Sequence, residues 1–236
     1  MAVLVHGGFH GGWCWRKVRQ MLVADGWDVY TPSLTGMGDR AHLLSPDVGL
    51  ETHVQDVVGI VESQELTDIV LCGHSAGGIV VTAVADRIPD RIGHLIYLDA
   101  AVPENGQSLM DVLGDAQGVP DIFRKQAIES GIGWQVPPIL FNAAAFGVED
   151  SEDAAWLERR MGSHPLRAFE EPAVLSGGID AIARKTYIRC ERFPIDFGPR
   201  MVSRFDGNPG WQVECWDSAH DVMITEPARV RNALVA

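Results

Sequence analysis

The segment Gly73-His74-Ser75-Ala76-Gly77-Gly78 sets a serine among small residues in a GxSxG box. A serine so placed is suited to attack an acyl carbon as a nucleophile. The box follows an apolar run at residues 68–72 and opens a stretch rich in Ala, Val and Ile at 76–88. That order predicts strand, sharp turn and helix. Gly73 and Gly77 leave room for a strained turn, and the helix N-terminus puts a positive dipole beneath Ser75. A glycine-rich turn with an incidental serine is the alternative, and the flanking strand and helix weigh against it.

Nucleophilic serine chemistry needs a base, an acid and oxyanion donors. Ser218-Ala219-His220-Asp221 follows the last apolar run, where the base of a Ser…acid…His chain order belongs. A histidine with an ordinary pKa of about 6.5 accepts the serine proton near neutrality. His220 is therefore the candidate base. His6, His42, His53, His94 and His164 read as packing or surface residues, while His10 and His74 fall near the presumed site. The acid holds the imidazole tautomer, and three carboxylates fit the order: Asp99, which ends an apolar run, then Glu191 and Asp196. Asp99 is preferred. Asp217 and Asp221 flank the base too closely to reach its far nitrogen.

His6-Gly7-Gly8-Phe9 follows the first apolar run. Such a loop supplies one backbone donor to a developing oxyanion, and the residue after the nucleophile supplies the other. Those donors are Gly8 and Ala76. A phosphate-binding turn is the competing reading. It fails because no Lys-Ser/Thr follows and the GxGxxG spacing is missing. No HxH or HExxH spacing suggests a metal site, and no cofactor is expected.

These groups need a scaffold. Short apolar runs at 2–5, 27–31, 68–72 and 93–98 alternate with helical patterns at 15–24, 51–62 and 76–88. Alternation of this kind predicts a parallel sheet of about six strands with crossover helices. The pattern breaks over 103–184, which shows no clear strand, many prolines and helical fragments at 122–129 and 153–161. It is too long and apolar for a loop. The expected organisation is a core of 1–102 and 185–236 with 103–184 inserted as a helical cap. Alternation resumes with a run at 185–190, a helix near 199–205, a run at 211–216 and a last helix after Pro227. Aromatic residues Phe9, Trp134, Phe141, Phe146 and Trp156, with His10 and His74, are candidates to line a substrate pocket, beside Met110 and Leu113.

The net charge of −13 repels phosphate backbones and anionic lipid surfaces, so nucleic acid and membrane are not expected partners. Four cysteines without a CxxC pair do not make a disulfide scaffold. The N-terminus has no basic segment followed by an apolar one. A cytoplasmic protein is the expectation, with a homodimer left open.

The runs VLVHGGFHGGWCW, VYTPSLTGMG, VLCGHSAGG and DSAHDV resemble the α/β-hydrolases that group plant methyl-ester hydrolases with hydroxynitrile lyases and bacterial carboxylesterases. The resemblance covers about residues 2–103 and 185–236. It implies an α/β-hydrolase fold and a serine esterase acting on small-molecule esters, with Ser75 as nucleophile and His220 as base. There are departures. The plant enzymes carry their acid a few residues past the Cys190 position, where this chain reads Cys190-Glu191-Arg192-Phe193-Pro194. Asp99 stands where they have a small residue, so the acid is expected to have moved there. The lyases place a lysine directly after the base and a threonine in the oxyanion loop. Here Asp221 and Gly8 stand in those places, against lyase chemistry. A hydrolase-fold receptor with little turnover would carry the same residues and stays as an alternative.

Overall fold

The computed structural model describes residues 1–115, 118–193, 195 and 197–236. The chain opens with β1 (Ala2–Val5), α1 (Arg16–Ala24), β2 (Val29–Tyr30), α2 (Leu50–Ser63), β3 (Ile69–His74), α3 (Gly77–Arg87) and β4 (Ile92–Leu98). An inserted segment follows, with α4 (Leu109–Leu113), α5 (Val119–Ser130), β5 (Gln135–Val136), α6 (Ser151–Glu158), β6 (His164–Pro165) and α7 (Leu166–Glu170). The chain closes with β7 (Lys185–Cys190), α8 (Gly198–Phe205), β8 (Trp211–Trp216), α9 (Val222–Thr225) and α10 (Pro227–Val235).

Six strands form one parallel sheet in the order β2-β1-β3-β4-β7-β8. Every residue of β1 is buried, as is nearly all of α3. Parallel strands covered on both faces read as unbroken apolar runs for this reason. Strand addition runs from β1 outward to β2, then reverses to β3. Right-handed crossovers put α1 on one face of the sheet and α2 and α3 on the other. The reversal also leaves a crevice between the C-terminal ends of β1 and β3, where ligands bind in open α/β sheets.

Some elements differ from their sequence patterns. The run at 27–31 forms only a two-residue strand, because Trp27 N–H turns back to Leu22 O and Pro32 has no N–H for the ladder. Conversely, β3 runs past Cys72 through Gly73 and His74, which pair with Tyr97 and Leu98. The inserted segment holds a short antiparallel ribbon, β5 with β6, where the sequence shows no strand. Two-residue strands carry no periodicity to read. The end of this segment returns to the sheet: Asp86 at the end of α3 accepts N–H bonds from Ser176, Gly177 and Gly178 at 2.6, 2.8 and 2.7 Å. No helix among the described residues is long and apolar enough to cross a membrane.

Candidate active site

Ser75 sits one residue past β3, at the crevice, with φ +53. That is a left-handed conformation which costs a non-glycine residue energy. Its N–H bonds Leu98 O, while its own carbonyl accepts from Gly78 and Ala101 N–H. Small neighbours are required here. A Cβ at Gly77 would lie 2.5 Å from His6 O, and one at Gly7 would lie 2.7 Å from Ser75 Cβ.

Asp99 follows β4, next to β3 in the sheet, and is buried. Its Oδ2 lies 2.6 Å from His220 Nδ1, and its Oδ1 accepts from Cys190 N–H at 3.1 Å. A carboxylate only accepts, so His220 carries its proton on Nδ1. That leaves Nε2 with a lone pair, buried and without a partner among the described residues. Glu191 is exposed, and its N–H bonds Trp216 O. Asp196 lies outside the described residues. Among the described carboxylates, the one bonded to His220 is therefore Asp99.

Two further histidines brace this centre. His74 Nε2 lies 3.1 Å from His220 O. A carbonyl accepts, so His74 carries its proton on Nε2, and its buried Nδ1 has no partner among the described residues. Burial, helped by the nearby His220 and His10, pushes the His74 pKa well below the usual range, so this ring stays neutral. His10 reaches Gly8 O at 2.6 Å and Asp221 Oδ2 at 3.0 Å. Neither the His74 nor the His10 ring is on the wall of the pocket at Ser75.

Gly8 approaches Ala76: a Cβ on Gly8 would sit 3.9 Å from Ala76 Cβ. Among the described residues neither N–H has an acceptor. Two free amide donors thus stand beside Ser75.

The pocket above Ser75 encloses about 450 Å³, counting its open mouth. Seven of the eight phenylalanines line it. Phe9 stacks on Phe141 at 5.5 Å, and Phe123 on Phe169 at 5.0 Å. Phe193 lies on the His220 ring at 3.6 Å, and Phe146 reaches the same ring at 5.6 Å. Phe197, Leu109, Leu113 and Ile195 complete much of the wall. Ser75 is the one lining residue with a polar side chain among those described.

Of the pocket candidates in the sequence, Phe9, Phe141, Phe146 and Leu113 reach this space. The structure corrects the other five: His10, His74, Met110, Trp134 and Trp156 do not line it. Trp134 borders a separate groove with Pro46 and Leu166, and Trp156 packs edge-on against Trp13 at 5.2 Å under Arg160. Met110 is buried away from the wall. Sequence reasoning missed Phe123, Phe169, Phe193 and Phe197. Only the clustering of phenylalanine in and just after the inserted segment hinted at them. Among the described residues no group of His, Cys, Asp and Glu is arranged to hold a metal ion.

A model of the alpha/beta hydrolase family matches residues 2–233. The chain belongs to that family. As an α/β-hydrolase it is 41% identical to a carbendazim hydrolyzing esterase of Nocardioides sp. (strain SG-4G), over 99% of this chain and 98% of that one. It is 30% identical to a putative chloroplastic methylesterase 11 of Arabidopsis thaliana, over 85% of this chain and 55% of the relative. The chain thus spans about half the length of that plant protein. Among solved structures, an extracellular α/β-hydrolase from a Paenibacillus species superposes with TM-score 0.84 at 24% identity, covering 99% of this chain and 97% of the other. That last likeness establishes the fold. The esterases among the sequence relatives support hydrolysis of carboxylic esters by this α/β-hydrolase.

Proposed function

We propose that this α/β-hydrolase is a serine carboxylesterase working through an acyl-enzyme. The observation that carries the reading is His220 tied through Nδ1 to buried Asp99, leaving Nε2 bare. In that reading Nε2 takes the proton from Ser75 as its oxygen attacks the ester carbonyl. The Gly8 and Ala76 N–H groups hold the oxyanion. His220⁺ then protonates the leaving alcohol, and water releases the acid by the same route. Asp99 stabilises the imidazolium. These steps use no metal or cofactor.

The pocket bears on the substrate. A wall of phenylalanines with no charged side chain favours small, flat, apolar acyl or alcohol groups over ionised ones. Carbendazim and simple methyl esters are the first compounds to try, on the names of the relatives. Asp221 stands directly after the base, where a lyase would need a lysine to receive cyanide. The test is steady-state hydrolysis of aryl and methyl esters by the wild type and Ser75→Ala. Turnover that persists in the variant would overturn the reading, and labelling by an organophosphonate without turnover would favour a receptor.

A further inference from the structure

The loop that carries the Gly8 donor is gripped by two histidines in opposite states. Gly8 N–H belongs to the peptide whose carbonyl is Gly7 O. His6 Nδ1 lies 2.8 Å from that carbonyl, while His6 Nε2 accepts from Leu34 N–H at 3.0 Å. His6 is therefore neutral, with its proton on Nδ1. In a trans peptide C=O and N–H point opposite ways, so fixing Gly7 O aims Gly8 N–H. Burial pushes the His6 pKa down to about 3, in keeping with a neutral ring.

The next peptide is held by His10, and its hydrogen bonds need a different proton count. Nδ1 faces Gly8 O at 2.6 Å and Nε2 faces Asp221 Oδ2 at 3.0 Å. A carbonyl only accepts, so Nδ1 carries a proton, and a carboxylate at Asp221 would require one on Nε2 as well. His10 and Asp221 are almost wholly buried, at 1% and 0% exposure. An unpaired charge would not survive there. Trp13 stacks on the His10 ring at 5.3 Å, and the electron-rich face of an indole suits a cation. Burial opposes the charge, but Asp221 and the Gly8 carbonyl outweigh it and raise the His10 pKa.

We propose that His10 and Asp221 form a buried ion pair that clamps the Gly8–Phe9 peptide and so holds the residue bearing the oxyanion donor from its far side, while His6 aims the donor itself. His10 is thus a positioning residue, and this rests on the serine-esterase reading. The pair also joins two halves of the site. Asp221 stands beside His220 on the loop after β8, so one loop presents the base and anchors the oxyanion loop.

The test combines kinetics with ring-nitrogen NMR. At pH 7 the ¹⁵N signals of His10, assigned by their loss in His10→Ala, should show two protonated nitrogens. One unprotonated nitrogen would overturn the ion pair. His10→Ala should lower kcat by about 10²-fold, the scale of a lost oxyanion donor, with KM changed less than about threefold. A raised KM with kcat intact would overturn the positioning role. Asp221→Asn should stay within about tenfold of wild type, because its amide N–H can donate to Nε2 and keep the ring proton on Nδ1 toward Gly8 O. Asp221→Leu has no such donor and should fall as far as His10→Ala. Equal losses in Asn and Leu would sink the proposal. If His10→Ala does not fold, ring signals assigned by selective labelling and the Asp221→Asn kinetics still decide. Turnover in Ser75→Ala would remove the esterase reading itself. An inactive Ser75→Ala beside a fully active His10→Ala removes this inference alone.

Discussion

The floor and the roof of the site are specified in different ways. The floor is set by directional contacts: Asp99 to His220, His74 to the His220 carbonyl, His6 and His10 to the peptides flanking Gly8. The roof is set by bulk, with phenylalanine rings from the segment between β4 and β7 and the stretch after β7 packed at 5–6.5 Å between centroids. Directional contacts fix protons and charges, which decide whether a bond breaks. Ring packing fixes volume, which decides what is admitted. Replacing a floor residue should stop chemistry, and replacing a roof residue should change preference.

The largest effect expected is at Ser75. Ser75→Ala should lose on the order of 10⁴–10⁶ in kcat, checked by ester hydrolysis at saturating substrate. Next is Asp99→Asn, which keeps the shape but releases the Nδ1 tautomer. It should cost about 10⁴ in kcat, while Glu191→Gln, on the exposed surface, should leave kcat within about twofold. The reverse ranking would move the acid to another strand.

The roof should respond more mildly. Phe141→Leu removes a ring that stacks on Phe9, worth about 0.5–1.5 kcal/mol. The kcat/KM preference for aryl over straight-chain esters should narrow by about two- to tenfold. A fall in kcat on every ester alike would erase the distinction between roof and floor. Trp134→Ala, at a separate groove, should leave that preference unchanged.

Acid should loosen the floor. His6 has a folded-state pKa of about 3 against 6.5, so below pH 6.5 the unfolded chain binds the proton that the folded one refuses. The stability from this residue is fully present above pH 6.5. It is lost by up to about 1.4 kcal/mol per pH unit on the way down toward 3. Burial lowers the pKa of His53, His74, His94 and His164 as well, so urea unfolding of the wild type and His6→Asn at pH 7 and pH 5 checks this. An equal loss in both would mean that His6 contributes none of it.

Much of the fold was legible because parallel strands buried on both faces leave unbroken apolar runs. The run at 185–190 and strand β7 coincide for that reason. Ser75, His220, Gly8 and Ala76 were legible because each stands just past a strand or opens a helix, in a motif with fixed spacing. The sequence favoured Asp99 over Glu191 only as a preference, since both follow strands and it takes burial and a 2.6 Å contact to separate them. The pocket was least legible. Trp134 and Phe123 are equally aromatic in sequence, and neither periodicity nor spacing says which way a ring turns in a segment cut by prolines. The charge on His10 was also hidden, because it depends on Asp221 at the other end of the chain.

That separation has a kinetic consequence. His220 and Asp99 lie 121 residues apart, and His10 and Asp221 lie 211 apart. Contacts so distant along the chain form slowly, after long loops have closed. A refolding chain should therefore regain helical signal and buried fluorescence before it regains turnover. Hydrolysis is then a report that β8 has docked, and a nascent chain should stay inert until the segment carrying His220 and Asp221 is free to fold.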